Sequence, residues 1–279
     1  MRAENHTPAR EPLDAASLRR AAVAPDGLWR EIEVVPSTGS TNADLLARAL
    51  AGEPEGVVLA AEEQTAGRGR MGRTWVSPPY AALAFSLLIR PDVPPARRGW
   101  LPLLTGVAVA GAVTEVTGVE TSLKWPNDVL AGDAKLAGIL AEAAGDAVVV
   151  GIGLNVSTEP AELTRLPASP GRGALPATSL RAAGATAPDR AGLLLAILAW
   201  FERWYQAWRQ AGGDPDRSGL RAEYVSWSAT IGRTVRAELP GGQALSGPAA
   251  GVDSDGRLLV RVSSGSEVAV AAGDVVHLR

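Results

Sequence analysis

Residues Gln64–Trp75 read QTAGRGRMGRTW, placing three arginines and three glycines in one short stretch of a 279-residue chain whose formal net charge is -3. Arg68 and Arg70 are two apart, so an extended backbone points both side chains to one side. Guanidinium forks suit carboxylate and phosphate. The glycines let backbone N–H groups approach an anion closely. Trp75 adds a flat ring on which a nucleobase can stack. The same composition also describes a solvated loop or an Arg-Gly contact to RNA. The spacing is neither that of a phosphate-binding P-loop nor that of a dinucleotide fingerprint. Taken alone, the stretch leaves these readings open.

The rest of the chain narrows them. Apolar residues make up 46% and charged residues 20%, enough for a substantial core. The slight acidity speaks against general affinity for nucleic acid or anionic membrane, so an anion site is local. Cysteine is absent, which excludes disulfides, thiolate metal clusters and a Cys nucleophile. The two histidines, His6 and His277, lie near the chain ends, so a Ser-His-Asp triad or a His-rich metal site is not expected. No signal peptide stands at the N-terminus, and no apolar run long enough for a membrane span is expected. The default is a cytoplasmic protein.

Periodicity gives the order of elements. A loose tail covers residues 1 to about 12, and a short helix is expected near Leu13–Val23. Strands are expected at Arg30–Val35, Gly56–Gln64, Ala82–Pro91 and Ala147–Val156, with strand, turn, strand, loop, strand over Thr121–Ala143. Ser40, Thr41 and Asn42 precede DLLARALA as a helix start signal. Leu101–Gly118 reads as a buried helix. Residues 157–191 read as loop with short helical turns. Leu193–Gln210 is a strong helix whose Trp200, Trp204 and Trp208 form a packing face. After Thr230 the texture shifts to short strands split by PGG, DSDG and SSGS turns, the pattern of a small antiparallel barrel. The expected division is a tail and short helix over 1–28, a catalytic domain over 29–228 and a small barrel over 229–279.

Three further motifs carry polar groups into apolar strands. KWPNDVL (Lys124–Leu130) presents Asn127 and Asp128 together at a turn; an amide oxygen beside a carboxylate can hold Mg²⁺, although by itself the motif fits an ordinary Asx turn better. KLAGILAE (Lys135–Glu142) opens on a lysine and carries Gly138, where something can pack on the backbone. GIGLNV (Gly151–Val156) has two glycines and ends in Asn155.

In the order STN, QTAGRGRMGRTW, KWPNDV, KLAGIL, GIGLNV, these motifs closely resemble the biotin protein ligase family, over about residues 30 to 279. The resemblance implies an α+β fold: a mixed, mostly antiparallel sheet with helices on one side, akin to class II synthetase catalytic domains, plus an SH3-like C-terminal barrel. It implies ATP-dependent activation of biotin to biotinyl-5′-AMP and transfer to a lysine of the biotin carboxyl carrier domain of acetyl-CoA or acyl-CoA carboxylase, with Mg²⁺. It assigns Ser40, Thr41, Asn42 and Gln64, with Gly67 and Arg68, to the biotin ring. Gly138, Leu140, Gly151 and Gly153 line the slot for ring and side chain. Lys135 reaches the carboxylate and α-phosphate, and Arg70 and Arg73 hold phosphate. Trp75 packs on adenine, Asn155 contacts the nucleotide and Lys124 adds charge near the triphosphate. Asn127 and Asp128 serve the metal, Asn127 also facing the nucleotide; Arg70 and Lys135 are the catalytic pair.

Some relatives carry an N-terminal winged helix that binds operator DNA. About 30 residues precede the catalytic part here, so no DNA binding is expected, and a monomer or weak homodimer is. Two rivals remain: a lipoate–protein ligase using the same adenylate chemistry on another acid, and a single-stranded RNA module built on the Arg-Gly loop and Trp75.

Overall fold

The computed structural model describes residues 10–166, 175–186, 188–239, 244–271 and 273–278. The expected tail through residue 9 with His6, part of the 157–191 loop and the PGG turn lie outside the described residues.

A helix α1 (Ala15–Ala22), capped by the Asp14 carboxylate, precedes strand β1 (Glu31–Val35). Then follow α2 (Thr41–Leu50), β2 (Val57–Ala61), β3 (Ala82–Ile89) and α3 (Leu101–Thr117). Strands β4 (Ser122–Lys124), β5 (Asp128–Ala131), β6 (Ala134–Ala144) and β7 (Ala147–Asn155) come next. They form one seven-stranded sheet in the order β1-β2-β3-β7-β6-β5-β4. Only β1 and β2 pair in parallel; every other neighbouring pair is antiparallel. The mixed, mostly antiparallel sheet expected from the resemblance is thus present.

The side chains of β2 show how the sheet is covered. Val58 and Ala60 belong to the main core, while Val57 and Leu59 belong to a second cluster with Leu45 and Ala49 of α2. Alternate residues of a strand face opposite sides, so α2 covers one face and α3 the other. The expectation that helices lie on one side is corrected: β2 and β3 are buried at every position and need a cover on both faces.

Helix α3 is buried through nearly all its length and ends at Gly118 in a left-handed conformation. With its preceding turn it spans Pro95–Thr117, long and apolar enough to cross a membrane by length and composition, contrary to expectation; 72% of the apolar window is buried. Its cover is α5 (Arg190–Gln210), whose Trp204 and Trp208 are buried in the core. Trp200 lies on Gly111 of α3, where an added Cβ would stand 2.5 Å from its ring. A short α4 (Pro160–Leu163) precedes α5, and α6 (Leu220–Trp227), not foreseen in the sequence, follows it.

Strands β8 (Thr234–Glu238), β9 (Ala244–Val252), β10 (Leu258–Arg261), β11 (Glu267–Val270) and β12 (Asp274–His277) form an antiparallel sheet in the order β11-β10-β9-β8-β12. Its apolar side chains Val235, Val252, Leu258 and Val260 join the same core cluster as α3 and α5. The turn at 253–256 docks on the turn that precedes α3 and on Trp125, between β4 and β5. Trp100 Nε1 donates to Asp253 O (3.1 Å), Arg97 Nη1 to Ser254 O (2.6 Å) and Trp125 Nε1 to Gly256 O (3.1 Å).

Candidate active site

Strands β3, β7 and β6 lie side by side, and in this register Ser86 pairs with Gly151 and Gly138 with Gly153. A sheet face carrying glycines is a shallow trough, because no Cβ rises from it. The 64–75 segment closes over this trough as a tight hairpin. Trp75 N donates to Gly67 O (2.9 Å), Gly69 N to Arg73 O (2.7 Å), and a one-turn 3₁₀ segment at Arg70–Gly72 makes the tip. Met71 holds φ 55°, the left-handed region normally left to glycine. The sequence suggested glycines that let backbone N–H groups approach an anion. Gly67 has a more specific reason: a Cβ there would run into the Trp75 carbonyl, so the hairpin closes only on glycine.

Beneath the hairpin is a cavity of about 120 Å³. Its wall includes Ser40, Thr41, Asn42, Gln64, Arg68, Arg70, Arg73, Trp75, Asn127, Lys135, Gly138, Leu140, Gly151, Gly153 and Asn155, so the structure brings most of the expected site residues together. Gly67, Lys124 and Asp128 stand outside the wall. Lys124 is nearly buried at the end of β4, and Asp128 stands beside Lys135, whose Nζ is 2.6 Å from Asp128 Oδ1.

The glycines of the trough are filled from within the protein. A Cβ on Gly153 would stand 2.7 Å from Trp75 Nε1, and one on Gly138 3.3 Å from the same indole. A Cβ on Gly151 would stand 2.8 Å from Asn42 Cγ. The expected ligand slot is therefore also the seat of Trp75, whose buried Nε1 has no hydrogen-bond partner. The buried Oδ1 of Asn155 has none either, while its Nδ2 donates to Thr178 O (2.8 Å).

Ser40 occupies the N-cap position of α2, yet its side chain makes no capping bond. Gln64 does that work from outside the helix, its Oε1 accepting from Thr41 N at 2.9 Å. The cations of the hairpin go to different partners: Arg68 Nη2 is 3.2 Å from Glu142 Oε2, and Arg70 Nη1 donates to Asn127 Oδ1 at 3.2 Å.

In this structure both members of the expected metal pair have partners within the protein. Asn127 Oδ1 already faces Arg70, Asn127 Nδ2 donates to Ile139 O (3.0 Å), and Asp128 faces Lys135. Among the described residues no group of three His, Asp or Glu side chains gathers to hold a metal.

Two buried polar groups stand beyond the motifs, the first behind the cavity wall. Ser86, fully buried in β3, lies 2.7 Å from Thr41 Oγ1 and 2.6 Å from Asn42 Oδ1. Glu62, at the end of β2, pairs with Arg190 at 2.6 Å, both side chains under a tenth exposed, and its Oε1 accepts from Leu13 N (2.5 Å). A serine in the otherwise apolar run ALAFSLLI was the available signal for the first. Nothing local marked the second.

A mixed sheet with an arginine-rich hairpin closed over its glycine trough defines a class of ligases. Residues 32–158 match the Biotin/lipoate A/B protein ligase family and residues 230–278 the Biotin protein ligase C terminal domain, and the chain belongs to this family. It is 48% identical over 275 residues to the biotin–(acetyl-CoA-carboxylase) ligase of Mycobacterium tuberculosis, covering 97% of each chain. Among solved structures it is similar to the biotin protein ligase of Aquifex aeolicus in complex with biotin and ATP, with TM-score 0.72, 26% identity, and coverage of 90% of this chain and 100% of that one. It is also similar to the Leishmania major ligase in complex with biotinyl-5-AMP, with TM-score 0.59, 26% identity, and coverage of 89% and 100%.

Proposed function

We propose that this chain is a biotin–protein ligase that joins biotin to ATP as biotinyl-5′-AMP, releases pyrophosphate, and passes the biotinyl group to a lysine of a carboxylase's biotin carrier domain. The observation that carries this reading is the cavity in which Arg68, Arg70, Arg73 and Lys135 meet the polar groups of Thr41 and Gln64 under Trp75. Residues 29–228 are the catalytic part and 229–279 the C-terminal domain.

The chemistry needs no protein nucleophile. The biotin carboxylate attacks the α-phosphorus, and both reactants are anions. Placed cations lower that repulsion more than water can, because they are already oriented where charge develops. Lys135 stands between the trough and Asp128, positioned to reach the carboxylate and α-phosphate, and Arg70 and Arg73 hold phosphate. The mixed anhydride hydrolyses if water reaches it. The hairpin that carries Trp75, closed over the occupied trough, excludes water until the carrier lysine attacks the acyl carbonyl and AMP leaves.

The test is incubation with ATP, labelled biotin and a biotin carrier domain. ATP-dependent label on the carrier lysine is expected. Label from lipoate in place of biotin, or no transfer from either acid, overturns the reading.

A further inference from the structure

Behind the cavity a chain of side chains runs from Thr41 to Glu142. Thr41 Oγ1 is 2.7 Å from Ser86 Oγ, and Ser86 Oγ is 2.6 Å from Asn42 Oδ1. Asn42 Nδ2 donates to Glu142 Oε2 at 2.7 Å and to Leu140 O at 3.1 Å. Thr41, Asn42 and Ser86 are all at most 5% exposed, so the inner part of the chain is shielded from water, while Glu142 at its end is 27% exposed.

Only one order of protons satisfies these contacts. A carboxylate and a backbone carbonyl accept and cannot donate, so the Asn42 amide must turn its nitrogen toward Glu142 and Leu140. Its oxygen then faces Ser86, whose single proton is committed to it. Ser86 can now only accept from its other neighbour, so the Thr41 proton points inward to Ser86. Thr41 Oγ1 also lies 3.1 Å from Gln64 Oε1, which already accepts from Thr41 N. With the hydroxyl proton turned away, two oxygens face each other at the cavity wall with no proton between them. An N–H donor from a ligand fills that gap.

We propose that Glu142, through Asn42 and Ser86, is a positioning residue that fixes Thr41 as a hydrogen-bond acceptor and so selects an acid whose ring carries N–H donors. This rests on the ligase reading: the ureido ring of biotin has such donors, and the dithiolane ring of lipoate has none. Glu142 touches no substrate and acts only through the order of protons it imposes. Its Oε2 also meets Arg68 Nη2 at 3.2 Å, so the same oxygen anchors the hairpin. Gly151 belongs to the device, because any Cβ there would push Asn42 out of line.

A double-mutant cycle on the full chain tests this, with biotin binding read by calorimetry, KM for biotin and for ATP, and thermal midpoints. Glu142→Gln lets the facing amides adopt either order. It is expected to weaken biotin binding about tenfold, with the KM for ATP within twofold and kcat at saturating biotin little changed. Ser86→Ala, which cuts the chain in the middle, gives a similar loss and serves if the first variant folds poorly. In a Thr41→Val background, Glu142→Gln costs nothing further. An undiminished loss in that background means Glu142 acts through Arg68 or through the fold, and overturns the proposal. Unchanged biotin binding in both single variants, with the wild type binding biotin, overturns it while leaving the ligase reading intact. A wild-type chain that binds no biotin removes both.

Discussion

Trp75 and Lys135 show how much chemistry rests on single contacts. Trp75 sits in the glycine trough, so Gly153→Ala drives a Cβ into its ring. Because the strand itself is undisturbed, we expect the thermal midpoint to move by only a few degrees while adenylate escapes faster, measured by trapping released biotinyl-5′-AMP. Unchanged retention would mean that the indole does not hold the intermediate. Lys135→Ala removes the cation proposed to reach the carboxylate and α-phosphate and leaves the half-buried Asp128 without its partner. Pyrophosphate release is expected to fall by about 10²-fold or more, by analogy with removal of a single oriented charge stabiliser. At this scale the motifs were readable, since each pairs an unusual polar residue with glycine or proline. Their partners were not: Ser86 meets Asn42, and Arg68 meets Glu142, only after three strands have found their register.

The elements follow the same division. Strands and long helices stood out because their periods are unbroken and their ends carry Pro, Gly or a capping residue. Helix α6 was missed because Gly219 at its N-cap offers no side chain to mark the start. Its remaining signal, Leu220 and Tyr224 buried one turn apart, is short. Helix α5 illustrates a strong start: Asp189 accepts from Ala191 N and Gly192 N. Asp189→Ala is expected to cost about 1 kcal/mol of unfolding free energy in urea, with ligation kinetics unchanged. Arg190, one residue later, is a different case. It is buried, donates to Glu62 Oε2, Ala82 O and Glu11 O, and ties the segment before α1 to the end of β2. Arg190→Leu strands the Glu62 carboxylate and is expected to cost about 3–5 kcal/mol; replacing both with apolar residues should restore much of it. Equal losses in the single and double variants would show that the charge on Glu62 is not the cause.

The two sheets meet around β4, and His277 lies at that junction. Trp125 N donates to Thr230 Oγ1 (3.0 Å), and the same hydroxyl lies 3.0 Å from His277 Nε2, a contact open to a neutral imidazole in either tautomer. Burial, with Lys124 and Arg233 nearby, holds the His277 pKa down to about 4 from its ordinary 6.5, against a smaller opposing pull from Asp133. The unfolded chain therefore binds a proton that the folded one refuses between those values. Stability from this group is complete above pH 6.5 and is lost as pH falls toward 4. Thermal midpoints recorded from pH 7 to pH 4 should decline, and His277→Gln should flatten the part of the decline above pH 5. An identical profile in the variant would assign the decline to carboxylates alone. That the second sheet existed was readable from its turns; that it shares a core with α3 and α5 was not, since no local pattern names a partner 150 residues away.

The turn that joins the sheets grips by its main chain. Asp253, Ser254 and Gly256 each offer a carbonyl, and the donors are side chains of Arg97, Trp100 and Trp125. A carbonyl is the same in every amino acid, so the two sides of this seam carry unequal mutational burdens. In a library randomised at both, Ser254 should accept many replacements, provided that Asp253 and Gly256 keep the bend. Trp100 and Trp125 should accept almost none. Gly256 should resist every change, because it holds φ 82° and an added Cβ would stand 2.6 Å from the Gly99 carbonyl carbon.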